Sequence, residues 1–247
     1  MNITGIYIVS DRVSLYEKSL DNVILLAVKG GASMVQLREK DVSTRFFIEE
    51  AQRIKRILAP YTVPLIINDR IDVALAVGAD GVHIGQEDMP YPLARKLLGP
   101  DAIIGLSVET LEQVEAAEAF DVAYLGVSAI FATPTKTNTR NHWGIDGLRK
   151  VRAMSRHPLV AIGGINASNA AEVIQAGADS LAVVSAICSA PDPQKATEHL
   201  RRIVLSHRRS EIKPYDHQFP KGGRMTLNRD SQTTLSELSP HDFSPRK

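Results

Sequence analysis

Three side chains at alternate positions, Gln36, Arg38 and Lys40 of "VQLREK", are the first residues in this sequence whose types and spacing suggest chemistry. On a strand a two-residue period sends alternate side chains to one face, so all three point the same way. An arginine fork and a lysine point charge suit diphosphate oxygens. Spacing alone equally allows both to pair with nearby carboxylates. "IINDR" adds Asn68 and Asp69, and "GQEDMP" adds Asp88. Two carboxylates ending neighbouring strands, with no histidine or thiol partner, make a hard oxygen site suited to Mg²⁺ held mainly by water and phosphate. An acid/base pair is the other use of such carboxylates. The nearby cations favour metal-bridged phosphate.

A second group comes later in the chain. "AIGGI" ends in Gly163 and Gly164 with Ile165 after them, and "AVVSAI" carries Val184 and Ser185. Glycines let backbone N–H groups approach a phosphate monoester, and Ser185 adds a hydroxyl. "IIGLS" contributes Ser107, and "FATPTKTNTR", residues 131 to 140, contributes Thr133, Thr135 and Lys136. The remainder of that stretch, Thr137 to Arg140, is expected to form a mobile flap. His83, His142 and His157 lack metal-ligand spacing; His83 is read as packing or local bonding, and Trp143 as packing. Cys188, the single cysteine, is read as a small packing residue.

Positioning these groups requires a regular frame. Eight short β-branched, apolar runs begin at about residues 5, 34, 64, 81, 102, 123, 159 and 180, most of them apolar on both faces. Stretches of helical period lie between them, such as Phe47, Ala51, Ile54 and Leu58, or Leu111, Val114 and Phe120. "GGAS", "GADG" and "GADS" place glycine where a helix must stop before a strand. The pattern predicts an α/β fold, a (β/α)8 TIM barrel over residues 1 to 205, with chemistry at the C-terminal ends of the strands. An open doubly wound sheet would carry a Gly-rich first turn, and "SDRVSLYEK" has no glycine. Residues 206 to 247 lose the periodicity and become polar, which predicts a disordered tail.

Composition limits the partners. The chain has 247 residues, is 44% hydrophobic and 23% charged, and carries a formal charge of +1. Nothing there calls for nucleic acid or a membrane surface. No apolar run nears the ~20 residues of a membrane span, and the start lacks a signal's basic-then-apolar order, so the cytoplasm is expected. A homo-oligomer is left open.

"VQLREK", "IINDR", "ALAVGADGVHIGQEDMP", "IIGLS", "TPTK", "VAIGGI" and "AVVSAI", in this order, resemble the thiamine-phosphate synthase (thiamine-phosphate pyrophosphorylase) family over about residues 5 to 200. The resemblance implies joining of 4-amino-5-hydroxymethyl-2-methylpyrimidine diphosphate to a thiazole phosphate, with release of pyrophosphate. It places Gln36, Arg38, Lys40, Asn68, Ser107 and Lys136 on the pyrimidine diphosphate, with Glu39 counted among the substrate-binding residues. It gives Mg²⁺ to Asp69 and Asp88, and the thiazole phosphate to Thr133, Thr135, Gly164, Val184 and Ser185. Arg38, Lys40, Lys136 and Ser107 are the implied catalytic groups. The chain departs from the family pattern at Glu109, where histidine is usual, at Ser128-Ala129, where Gly-Pro is usual, and at Ala132, where proline is usual. Retention of the diphosphate and metal set argues against the related thiazole tautomerase type, and against a non-catalytic phosphate-binding regulator.

Overall fold

The computed structural model describes residues 3–133 and 142–207. Eight parallel strands close into one barrel in chain order. They are β1 (Gly5–Val9), β2 (Ala32–Leu37), β3 (Leu65–Asn68), β4 (Gly81–Ile84), β5 (Ile103–Val108), β6 (Tyr124–Ser128), β7 (Leu159–Ile162) and β8 (Ser180–Val183). Closure pairs β1 with β8, Tyr7 opposite Ala182, and removes every free sheet edge. All eight predicted runs are strands. The eighth strand ends before its apolar run does: Val184 leaves the strand and Ser185–Cys188 forms one helical turn, α9.

Helices wrap the outside: α1 (Arg12–Leu15), α2 (Leu20–Lys29), α3 (Thr44–Leu58), α4 (Ile71–Val77), α5 (Tyr91–Leu98), α6 (Leu111–Ala117), α7 (Gly144–Met154), α8 (Ala170–Gln175), then α9 and α10 (Pro193–His207). Helix α3 shows why the sequence folds this way. Ser43 caps it by accepting the Phe46 N–H at 3.2 Å. Phe47, Ala51, Ile54 and Leu58 then recur on one buried face. Replacing Ile54 by alanine there would cost about 2–5 kcal/mol through lost burial and a cavity.

The pleat divides the core in two. Outward residues such as Ile8, Val35, Ile67 and Leu125 pack under the helices. Inward residues Tyr7, Met34, Ile66, Ile103, Tyr124 and Val160 fill the barrel. Above this apolar floor the inward positions turn polar: Gln36 on β2, Asn68 on β3, His83 on β4 and Ser107 on β5. The strand period thus converts one sequence into a dry base and a polar mouth. Helix α10 runs to His207, two residues past the expected domain boundary. The rest of the expected tail, residues 208–247, lies outside the described residues. Among the described residues no helix is long and apolar enough to cross a membrane.

Candidate active site

A cavity of about 710 Å³ opens at the C-terminal ends of the strands. Gln36, Arg38, Lys40, Asn68, Asp69, Asp88, Ser107, Thr133, Gly164, Val184 and Ser185 all line it. Thr135 and Lys136, like the expected flap, lie outside the described residues. Glu39 is the exception. Odd parity turns its side chain away from the cavity, where Arg12 Nε meets its carboxylate at 2.7 Å. Glu39 is therefore corrected from a substrate group to a buried support behind Arg38 and Lys40.

Residues from five strands join beneath the cavity in one hydrogen-bonded chain. Gln36 Nε2 donates to the Tyr7 hydroxyl at 2.8 Å, and the Tyr7 and Tyr124 hydroxyls lie 2.9 Å apart. Tyr124 also meets His83 Nδ1 at 3.0 Å, and His83 Nε2 meets the Ser107 hydroxyl at 2.8 Å. Burial, above all, raises the pKa of both phenols, so they act as neutral hydroxyls. Glycine makes room for the rings. A Cβ at Gly105 would lie 2.1 Å from Tyr124, and one at Gly126 would lie 2.8 Å from His83. His83 packs as expected, stacked on Tyr124 at 5.5 Å, but its two hydroxyl partners lie 41 and 24 residues away rather than nearby in sequence. Tyr7 and Tyr124 were missed; their inward parity, shared with Gln36 and Gly126, was the available signal.

The carboxylates stand on the β3 and β4 side. Asp69 has a left-handed backbone, φ +61°, stabilised by its N–H donating to the His83 carbonyl at 2.8 Å. Its carboxylate pairs with Lys40 Nζ. Asp88 accepts the Gly85 N–H at 2.7 Å, closing a tight turn. Burial raises the Asp88 carboxyl pKa, and the adjacent Asp69 carboxylate raises it further. Arg38 is anchored through its N–H to Ser10 Oγ at 2.9 Å, with its guanidinium 3.4 Å from Asp11.

Opposite them, four strands around the barrel, Gly163 and Gly164 end β7 with φ of +102° and +65°. A Cβ at Gly163 would come 2.5 Å from that of Ala129, and one at Gly164 would come 2.7 Å from the Ala132 carbonyl. Both the backbone sign and the close approach require glycine here. The departures Ala129 and Ala132 thus back directly onto this pair, while Ser128 and Glu109 line the cavity.

Charge decides what the cavity can hold. Among its described lining residues, Arg38 and Lys40 face four carboxylates: Asp69, Glu87, Asp88 and Glu109. The described part of the lining is thus net negative, a setting that suits a polyanion accompanied by divalent cations. Among the described residues no group of three or more His, Cys, Asp or Glu converges. A cation between Asp69 and Asp88 would therefore fill its shell with water and phosphate oxygens, which is the binding Mg²⁺ favours.

The family model described as thiamine monophosphate synthase matches residues 6–187. The thiamine-phosphate synthase of Albidiferax ferrireducens is 55% identical over 81% of this chain and 91% of its own length. That of Vibrio campbellii is 54% identical over 83% of this chain and 100% of its own. The solved thiamine phosphate pyrophosphorylase of Pyrococcus furiosus is 40% identical and superposes with a TM-score of 0.75, covering 83% of this chain and 97% of that one.

Proposed function

The chain belongs to the thiamine monophosphate synthase family, and from that premise we propose how its cavity joins two substrates. The pyrimidine diphosphate lies against Gln36, Arg38, Lys40, Asn68 and Ser107. The thiazole phosphate, 4-methyl-5-(2-phosphoethyl)thiazole or its carboxylated form, lies against Thr133, Gly164, Val184 and Ser185. Thr135 and Lys136 extend the two sets from the sequence. The observation that carries this reading is that a charged pole on β2 to β4 and a glycine pole on β7 and β8 face each other across one cavity.

The reaction then needs little covalent help from the protein. The bond between the pyrimidine methylene and the diphosphate oxygen breaks, with its electron pair leaving on pyrophosphate. Arg38, Lys40 and Lys136 stabilise that charge as it develops. The methylene becomes cation-like, and the thiazole nitrogen lone pair forms the new C–N bond, giving thiamine monophosphate. Asp69 and Asp88 would hold Mg²⁺, which would supply further charge neutralisation to the diphosphate. Holding both reactants in line across the cavity supplies much of the remaining acceleration. Cys188 takes no part: it is buried, and burial pushes its thiol pKa up to about 12. The partners are small molecules, and the proposal places the reaction in the cytoplasm.

Purified protein given both substrates and Mg²⁺ is expected to form thiamine monophosphate and pyrophosphate in equal amounts. Absence of product from well-folded protein would overturn the reading. Asp69→Asn and Asp88→Asn are each expected to lower turnover and flatten its Mg²⁺ dependence, and full activity in both would remove the metal assignment.

A further inference from the structure

Lys40 has two partners available to it. Its ammonium pairs with the Asp69 carboxylate, and the same side chain lines the cavity proposed to hold the diphosphate. Its three donors can reach in more than one direction, but its single charge cannot neutralise both the carboxylate and the diphosphate.

Three features make the Asp69 contact the resting one. Asp69 and Asp88 line the same cavity from the ends of adjacent strands, so this corner needs a cation. Lys40 is the cation found there, half-exposed on a long flexible stem, whereas Arg38 leans towards Asp11. The left-handed backbone of Asp69 stands out among its neighbours as a fixed aim for the carboxylate.

We propose that Lys40 is an interlock. It stays on Asp69 until a divalent cation neutralises the carboxylate pair, and only then turns to the diphosphate. The site thereby discriminates against diphosphate that arrives without metal, since among the described lining residues Arg38 is then the cation left to face Glu87, Asp88 and Glu109. This rests on the metal assignment above and assigns Lys40 a selective role in addition to binding.

The test uses inorganic pyrophosphate and isothermal titration, without turnover. In EDTA, Asp69→Asn is expected to bind pyrophosphate about tenfold more tightly than the parent protein, about 1.4 kcal/mol. Asparagine keeps the shape and tolerates the left-handed backbone, so the fold is preserved. Asp88→Asn removes the same charge without freeing Lys40 and is expected to gain only about threefold. Adding Lys40→Gln to each is expected to erase the gap between the two. With excess Mg²⁺ the order reverses, and Asp69→Asn binds more weakly than the parent. A gap that is absent, or that survives Lys40→Gln, overturns the interlock. Because synthesis by the parent protein is measured separately, product formation without the gap removes the interlock alone. A gap without product formation removes the synthase reading alone.

Discussion

Four aspartates, two at each end of the barrel, do opposite things with the same group. Asp80 and Asp179 stand in the repeated Gly-Ala-Asp segments just before β4 and β8. Asp80 accepts the Leu65 N–H at the start of β3, and Asp179 accepts the Leu159 N–H at the start of β7, both at 2.8 Å. Asp179 is held further by Arg152 at 3.0 Å. At the far end, Asp69 and Asp88 stand at the ends of adjacent strands, and Lys40 pairs with Asp69. The N-terminal pair is fixed to the chain, so its free energy stabilises the fold. The C-terminal pair is held against a like charge, which the proposed cation would relieve. Neighbouring cations follow the same division. Arg95 donates to the carbonyls of Gly99, Pro100 and Ala102, whereas Arg38 leans on Asp11 at a long 3.4 Å.

The largest expected effect that would break this division is at the C-terminal end. Arg38→Ala is expected to lower kcat by about 10²–10³, the usual loss when a charge-stabilising donor is removed. Its melting temperature should stay within about 1 °C of the parent, because so little of Arg38 supports the chain. A large fall in melting temperature would show that the end assigned to binding is also structural. The reverse experiment is Asp179→Ala, which leaves the Leu159 N–H and Arg152 without their carboxylate. The expected cost is about 1–3 kcal/mol of stability, or very roughly 2–10 °C, with kcat unchanged within about twofold.

Between the two ends lies the buried tyrosine layer, and Tyr124→Phe sharpens the comparison there. The substitution removes one hydroxyl that meets both Tyr7 and His83. Both readouts are expected to move modestly: about 1 kcal/mol of stability and about fivefold in kcat/KM through a less well-fixed Ser107. A change in stability alone would place the whole chain with the foundation.

How far these roles were legible from sequence follows from the same geometry. The eight strands were legible because each is a short apolar run, because glycine signals precede three of them, and because inward and outward positions alternate. The polar lining of the cavity was legible because residue types change abruptly at the strand ends, as at Arg38, Asn68 and Asp69. The Tyr7 to Tyr124 contact was not, since it joins residues 117 apart that only barrel closure brings together. The turn at Ser185–Cys188 escaped because four apolar and small residues fit a strand or a helix equally well.

Glu39 crosses the division and provides the smallest effect. It sits beside Arg38 in the chain, yet its side chain is buried and bonded to Arg12, which also reaches Glu50 at 2.8 Å. Glu39 Oε1 is buried without a hydrogen-bond partner among the described residues. Burial, and then the neighbouring Glu50, push its carboxyl pKa up from 4.5 to about 7, against the pull of Arg12. Between those values the folded protein holds the proton more tightly than the unfolded chain does. The resulting stabilisation is full below about pH 4.5 and is lost as the pH rises through about 7. Glu39→Gln keeps the shape and removes the titration. Between pH 5.5 and 8 the parent is therefore expected to lose about 1 kcal/mol more than the variant, roughly 2–4 °C in melting temperature. Parallel curves would mean that the Arg12, Glu39 and Glu50 cluster holds no proton at neutral pH. A steeper fall in the parent would show that a residue at the active end belongs, by its bonds, to the foundation.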